Sequence, residues 1–131
     1  MMHIFYIIKP STIHGIGLFA NQNIKSGDLI YTPNSLLDVD IANEQFEKLS
    51  GSEKREVKYY GYFNKKTQKW HVAFDAIRIL NHGENNFANV TQNEDMVMTA
   101  KRDIKKGKEL LQDYKEIYPL DGEHFKRINK K

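Results

Sequence analysis

The chain contains Ile24-Lys25-Ser26-Gly27-Asp28-Leu29-Ile30 and, far downstream, Ile104-Lys105-Lys106-Gly107-Lys108-Glu109-Leu110. Both follow one pattern: an isoleucine and a lysine, a glycine-centred turn, then an apolar strand start. A third glycine turn, His14-Gly15-Ile16-Gly17, leads into Leu18-Phe19-Ala20. Glycine suits such places because it reaches positive φ without steric cost. It recurs wherever the path reverses, and the pattern predicts a meander of short strands. Two copies of a common turn are weak grounds for an internal repeat, so they are read as similar turns.

Residues 4–8 read as a buried strand of β-branched and aromatic side chains ending at Lys9-Pro10. Residues 24–31 feed another strand, stopped by Pro33 and Asn34. Between residues 39 and 60, Ile41, Phe46, Leu49, Val57 and Tyr60 fall at mixed helical spacings among charges, which predicts two short helices. Ser50-Gly51-Ser52-Glu53 breaks that run, with Ser52 as the expected N-cap of the second helix. A hairpin-like turn near Asn64-Lys65-Lys66 then leads to a strand through Trp70, Val72 and Phe74, which alternate with His71 and Ala73. Residues 83–89 form a polar loop, and Met96-Val97-Met98-Thr99-Ala100 a further strand.

A chain of 131 residues is one domain with a modest core, and 40% hydrophobic with 28% charged residues suits a soluble globular protein. With no cysteine there is neither a disulfide framework nor a thiolate zinc site. His3, His14, His71, His82 and His124 lack close ligand spacing, so no metal is expected. The apolar run at residues 4–8 is too short for a membrane span or signal-peptide core, and the default expectation is a cytoplasmic or nuclear location. The net charge of +3 belongs to the end of the chain, where Lys126-Arg127-Ile128-Asn129-Lys130-Lys131 carries no acid. The rest is close to neutral. Such a tail reads first as a solvated end, with nucleic-acid contact the lesser reading.

Three short runs carry chemistry. Gly15-x-Gly17 alone is a turn, with no third glycine and no helix opening after it. Asn81-His82 follows Arg78-Ile79-Leu80, and Gly107-Lys108-Glu109-Leu110-Leu111-Gln112-Asp113-Tyr114 ends on a tyrosine. Taken singly, the histidine is ordinarily a satisfied core residue and the tyrosine ordinary packing. In this order and spacing the three resemble the SET domain, the β-rich fold of protein lysine methyltransferases that use S-adenosylmethionine.

The resemblance implies a mainly β fold with short helices, a β-clip of short strands with a C-terminal pseudoknot and a small helical insertion. A single SET domain would cover residues 1–120, with the insertion at about 39–63 and residues 121–131 as a basic C-terminal segment. It implies that Gly15, Ile16 and Gly17 lie against the methionine end of S-adenosylmethionine. It also implies that Asn81 holds the cofactor's amino group and that the backbone beside His82 reads its adenine. Tyr114 would line the methyl-transfer channel as the catalytic residue. Many SET enzymes close the site with a zinc-binding cysteine segment. This chain resembles instead the minimal SET proteins of viruses and bacteria, in which an aromatic residue, Tyr118 in this chain, packs by the cofactor. The implied partner is a protein or peptide carrying a lysine, a histone or another basic polypeptide, laid as an added strand beside the insertion. Tyr59, Tyr60, Tyr62 and Phe63 are read as core slightly ahead of groove lining. A homodimer is one expected assembly, and no membrane partner is expected.

Three departures matter. Gly83 stands where the family has serine. No Pro-Asn pair follows, leaving Asn86 or Asn89 as the second motif asparagine. Gln112 occupies the place of an aromatic residue that influences how many methyl groups are added, so the methylation state is left open. These departures keep a catalytically inactive, partner-binding SET-like module as the alternative reading.

Overall fold

The computed structural model describes residues 1–117. Among these residues ten short strands form three sheets, and glycine turns precede several of them. Strands β1 (Tyr6–Pro10) and β2 (Ile16–Ala20) make an antiparallel ribbon. A three-stranded sheet pairs β4 (Val39–Ala42), β6 (Lys69–Val72) and β5 (Tyr62–Asn64), with β6 central. The largest sheet has the order β3-β9-β8-β10-β7, from β3 (Leu29–Tyr31), β7 (Asn81–His82), β8 (Val90–Gln92), β9 (Met98–Ala100) and β10 (Leu111–Gln112).

The topology turns on β10. It runs parallel to β7, with Leu111 opposite Asn81 and Gln112 opposite His82, and also parallel to β8 through Gln112 and Val90. Since β7 and β8 are consecutive strands, the chain after residue 110 passes between them beneath the loop of residues 83–89. This is the threaded arrangement the family resemblance implied. Arg102 fastens the loop by donating to the carbonyls of Ala88 at 3.0 Å and Asn86 at 2.7 Å. Asn89 clamps the threaded strand: its Nδ2 donates to the Glu109 carbonyl at 2.9 Å and its Oδ1 accepts from the Leu111 amide at 2.8 Å. Of the two asparagines considered, Asn89 is the one whose side chain holds the threaded strand, while the Asn86 carbonyl accepts from Arg102.

The two glycine turns form one antiparallel unit. Ile24 and Ile104 exchange both backbone hydrogen bonds at 2.8 Å, and Gly27 and Gly107 donate at 2.8 Å to Ala100 and Ala20. Asp103 and Asn23 occupy matching places, accepting from the amides of Ser26 and Lys106. Gly27 and Gly107 have φ of +86° and +95°, which explains why glycine stands at both. Beneath them lies the core of Leu18, Ile24, Ile30, Met98, Ile104 and Leu110.

Several expectations require correction. The first strand is Tyr6–Pro10 rather than residues 4–8, and all of it is exposed. A two-stranded ribbon has no layer over its outer face, so β-branched composition alone did not signal burial. The insertion opens with β4, not a helix. Its helices are α1 (Asn43–Glu47) and α2 (Gly51–Tyr60), and α2 is capped by Ser50, not Ser52. Ser50 Oγ accepts from the Glu53 amide at 3.1 Å while Glu53 accepts from the Ser50 amide at 2.8 Å, a reciprocal box that Ser52 has no partner to make. Because α2 buries no residue completely, its end chemistry counts: Ser50→Ala is expected to cost about 1 kcal/mol in thermal unfolding.

Strand β6 alternates as its composition foretold, but its buried position is His71, followed just beyond the strand by Ala73. Trp70 instead stacks on Phe46 at 4.4 Å and meets Phe63 edge-on at 5.5 Å, a separate aromatic cluster under the short helices.

Candidate active site

Asn81 sits on β7 with only 5% of its surface exposed. Its Nδ2 lies 3.0 Å from the carbonyls of His14 and Ile16 and 2.9 Å from Glu109 Oε2. Three acceptors around one atom fix the orientation of the amide. Among the described residues no donor reaches Oδ1, which is left as an acceptor. Glu109 is held in turn by Ser11 Oγ, which donates to its carboxylate at 2.8 Å. Gly15 has φ of +48° and makes the turn. Gly17 is needed for a different reason: a Cβ there would lie 2.3 Å from Glu109 Oε2. Asn81 thus ties the glycine loop to β7, and Glu109, bonded to Asn81 and Ser11 and packed against Gly17, braces it; the sequence did not single out Glu109 although it lies inside the third motif.

Tyr114 opens a 3-10 turn, Tyr114–Glu116, just beyond β10. Its amide donates to His82 Nδ1 at 2.9 Å, and the two rings lie 5.1 Å apart. Its hydroxyl donates to the Leu80 carbonyl. Burial, chiefly, with Tyr59 and Glu109 adding repulsion, pushes the hydroxyl far above the ordinary phenol range, so it stays protonated as a donor. All three motifs therefore meet. Tyr118 lies outside the described residues.

Leu80 and Tyr114 border a cavity of about 60 Å³. Tyr31, Tyr59, Tyr60 and Tyr62 complete much of its wall. Only a slim chain end fits such a space. Tyr59 and Tyr60, read slightly more as core, are 44% and 37% exposed and line this cavity. Phe63 belongs to the Trp70 cluster. Gln112 also faces the cavity, bonded through Gln92 Oε1 at 3.2 Å, and Gln92 donates to the Tyr62 hydroxyl at 2.7 Å. These polar groups give the cavity a hydrogen-bonded wall where an aromatic ring was the family expectation.

Alternate residues of a strand face opposite ways. While Gln112 faces the tyrosine cavity, Leu111 lines a separate open cleft of about 590 Å³ with Thr12, Ile13, Phe87, Asn89 and Glu109. The same alternation on β7 sends Asn81 toward the glycine loop, next to the Leu80 carbonyl that Tyr114 holds. Two recesses thus flank one pair of short strands.

Gly83 is a packing requirement. A Cβ there would approach Leu111 Cβ to 2.9 Å and the Phe87 backbone to 3.2 Å. Gly83→Ser is therefore expected to lower stability by about 1–3 kcal/mol, measured by denaturant unfolding, through displacement of the threaded strand. Among the described residues no group of three or more His, Asp or Glu is placed to hold a metal ion.

The sequence matches the SET domain family over residues 15–115, and the chain belongs to that family. No curated protein matches it. The fold is similar to that of a Plasmodium falciparum candidate histone methyltransferase, with a TM-score of 0.60 and 22% identity over 86% of this chain and 95% of that one. CpSET8 from Cryptosporidium gives a TM-score of 0.58 and 26% identity, covering 86% of this chain and 58% of that chain. A chain of the Chaetomium thermophilum Polycomb Repressive Complex 2 gives 0.60 and 18%, with 87% of this chain matching only 15% of the larger one.

Proposed function

We propose that the protein is an S-adenosylmethionine-dependent protein lysine methyltransferase. The observation that carries this reading is the meeting of Tyr114, the Leu80 carbonyl and the Asn81-anchored glycine loop between a slim tyrosine cavity and an open cleft.

The residues present fit the cofactor. Its amino-acid end brings an ammonium, which needs acceptors, and Asn81 Oδ1, the loop carbonyls and the Glu109 carboxylate supply them. Gly15, Ile16, Gly17, Asn81 and the backbone at His82 would hold it, beside Glu109, which also lines the neighbouring open cleft. When bound, the cofactor supplies an electrophilic methyl group on a sulfonium.

The rest is the work of the chain. A lysine ammonium, with an ordinary pKa of ~10.4, carries no free lone pair and must lose a proton before it attacks. The tyrosine walls strip it of water and so favour the neutral amine. Tyr114 and Leu80 both line the cavity, and there the hydroxyl and the carbonyl orient the amine and stabilise charge as it shifts. A cavity this narrow admits a side-chain end but not a backbone, which leaves the peptide outside, beside the insertion that carries Tyr59 and Tyr60.

Calorimetric titration of the protein with S-adenosylmethionine tests the cofactor half of this reading. Saturable binding near one equivalent is expected; a folded protein that gives no binding heat and no thermal shift contradicts it.

A further inference from the structure

The tyrosine cavity carries a positive charge of its own. Arg78, an exposed residue of the 3-10 turn Ala76–Ile79, lines it with its guanidinium 5.2 Å from the centre of the Tyr60 ring. No carboxylate is among the residues described as lining the cavity. The two basic side chains in the wall differ in their company. His71 has Asp38 Oδ2 at 3.3 Å and Asp40 Oδ1 at 2.8 Å. The Arg78 guanidinium has neither an ion pair nor a hydrogen-bond acceptor among the described residues. The acid nearest in sequence, Asp75, is committed to the Met2 amide at 2.9 Å, the Ile77 amide at 3.3 Å and the Met1 amino group at 3.5 Å.

We infer that Arg78 is a carboxylate-binding subsite at the cavity, and that the substrate lysine has an aspartate or glutamate within two residues of it. This names the substrate class of the site and rests on the methyltransferase reading above.

The argument is one of charge and shape. An ammonium that enters beside a guanidinium is repelled, and the wall offers no anion to offset the repulsion. A carboxylate carried by the same peptide removes that penalty and makes the arginine discriminate between sequences. Stacking on Tyr60 holds the plane of the guanidinium and leaves its N–H edges open. A carboxylate matches that fork with two parallel hydrogen bonds. Because Arg78 is exposed, a peptide lying outside the cavity can meet it while its lysine is inside. The cofactor also brings a carboxylate, but Gly15, Ile16, Gly17 and Asn81, which would cradle it, do not line this cavity. A lysine in a purely basic tract would crowd further cations against Arg78, so the favoured substrate is a lysine of mixed-charge sequence.

The test is methyl transfer from S-adenosylmethionine to peptides with one central lysine, run beside core histones. Glutamate, glutamine or lysine occupies in turn each of the two positions on either side. Wild type is expected to prefer glutamate over glutamine at one of these positions by about 10-fold in kcat/KM, and to disfavour lysine there. Arg78→Gln should reduce that preference to less than about twofold, and Arg78→Glu should invert it in favour of lysine. The side chain is exposed, so both variants are expected to fold. Transfer by wild type without an acid preference, or a preference that survives in both variants, overturns the subsite and leaves the methyltransferase standing. A loss of S-adenosylmethionine affinity above about fivefold in Arg78→Gln also overturns it, by putting the guanidinium on the cofactor. If histones alone are methylated, mass spectrometry locates the modified lysines: acids within two residues support the subsite, and their absence overturns it. Transfer by wild type to neither peptides nor histones overturns the methyltransferase reading and the subsite with it.

Discussion

Tyr114→Phe is expected to slow methyl transfer by about 100- to 1,000-fold while leaving S-adenosylmethionine affinity within about twofold. The change removes one oxygen and keeps the ring, whose packing against His82 persists. What disappears is the donor to the Leu80 carbonyl, a polar group of the cavity wall. The lost buried hydrogen bond should cost about 1 kcal/mol of stability, too little to unfold the domain. A folded variant that binds the cofactor but fails to turn over therefore separates chemistry from binding. Equal turnover would remove Tyr114 from the mechanism.

Asn81→Ala should act on the glycine loop. Its Nδ2 unites the carbonyls of His14 and Ile16 with Glu109, and its Oδ1 is the acceptor offered to the cofactor's ammonium. Truncation leaves buried acceptors without a donor and frees the glycine loop from β7. A fall of about 100-fold in S-adenosylmethionine affinity is expected by calorimetry, equivalent to about 2.7 kcal/mol. Stability should drop by about 2 kcal/mol as well, because the Glu109 carboxylate loses a donor in a half-buried place. If affinity were unchanged, the glycine loop would not be the cofactor's cradle.

The three motifs were legible because each is a local run whose residues act near one another in the chain. The glycine turns were legible for the same reason: positive φ at Gly27 and Gly107 is a backbone demand visible from neighbours alone. Their docking through Ile24 and Ile104 was not, since one shared pattern does not say which strands pair. The exposure of β1 was missed because strand composition reports conformation better than burial. Ser50 and Ser52 both precede helix-forming residues, and only the reciprocal bond with Glu53 decides between them. The face of β6 was misjudged for a related reason: a polar His71 goes inward because Asp38, Asp40 and Tyr31 come from other segments to meet it. Tyr31, Glu109 and Gln92 share that origin. Each gains its place through partners distant in sequence, and a single chain read alone carries no record of such meetings.

The most direct measurement is mass spectrometry of core histones and poly-L-lysine after incubation with the protein and S-adenosylmethionine, alongside Tyr114→Phe. The expected result is methyl addition confined to lysine side chains, abolished or nearly so in the variant. Cofactor binding by a folded wild type without methylation of either probe, or methylation unaffected by Tyr114→Phe, would contradict a lysine methyltransferase built around Tyr114.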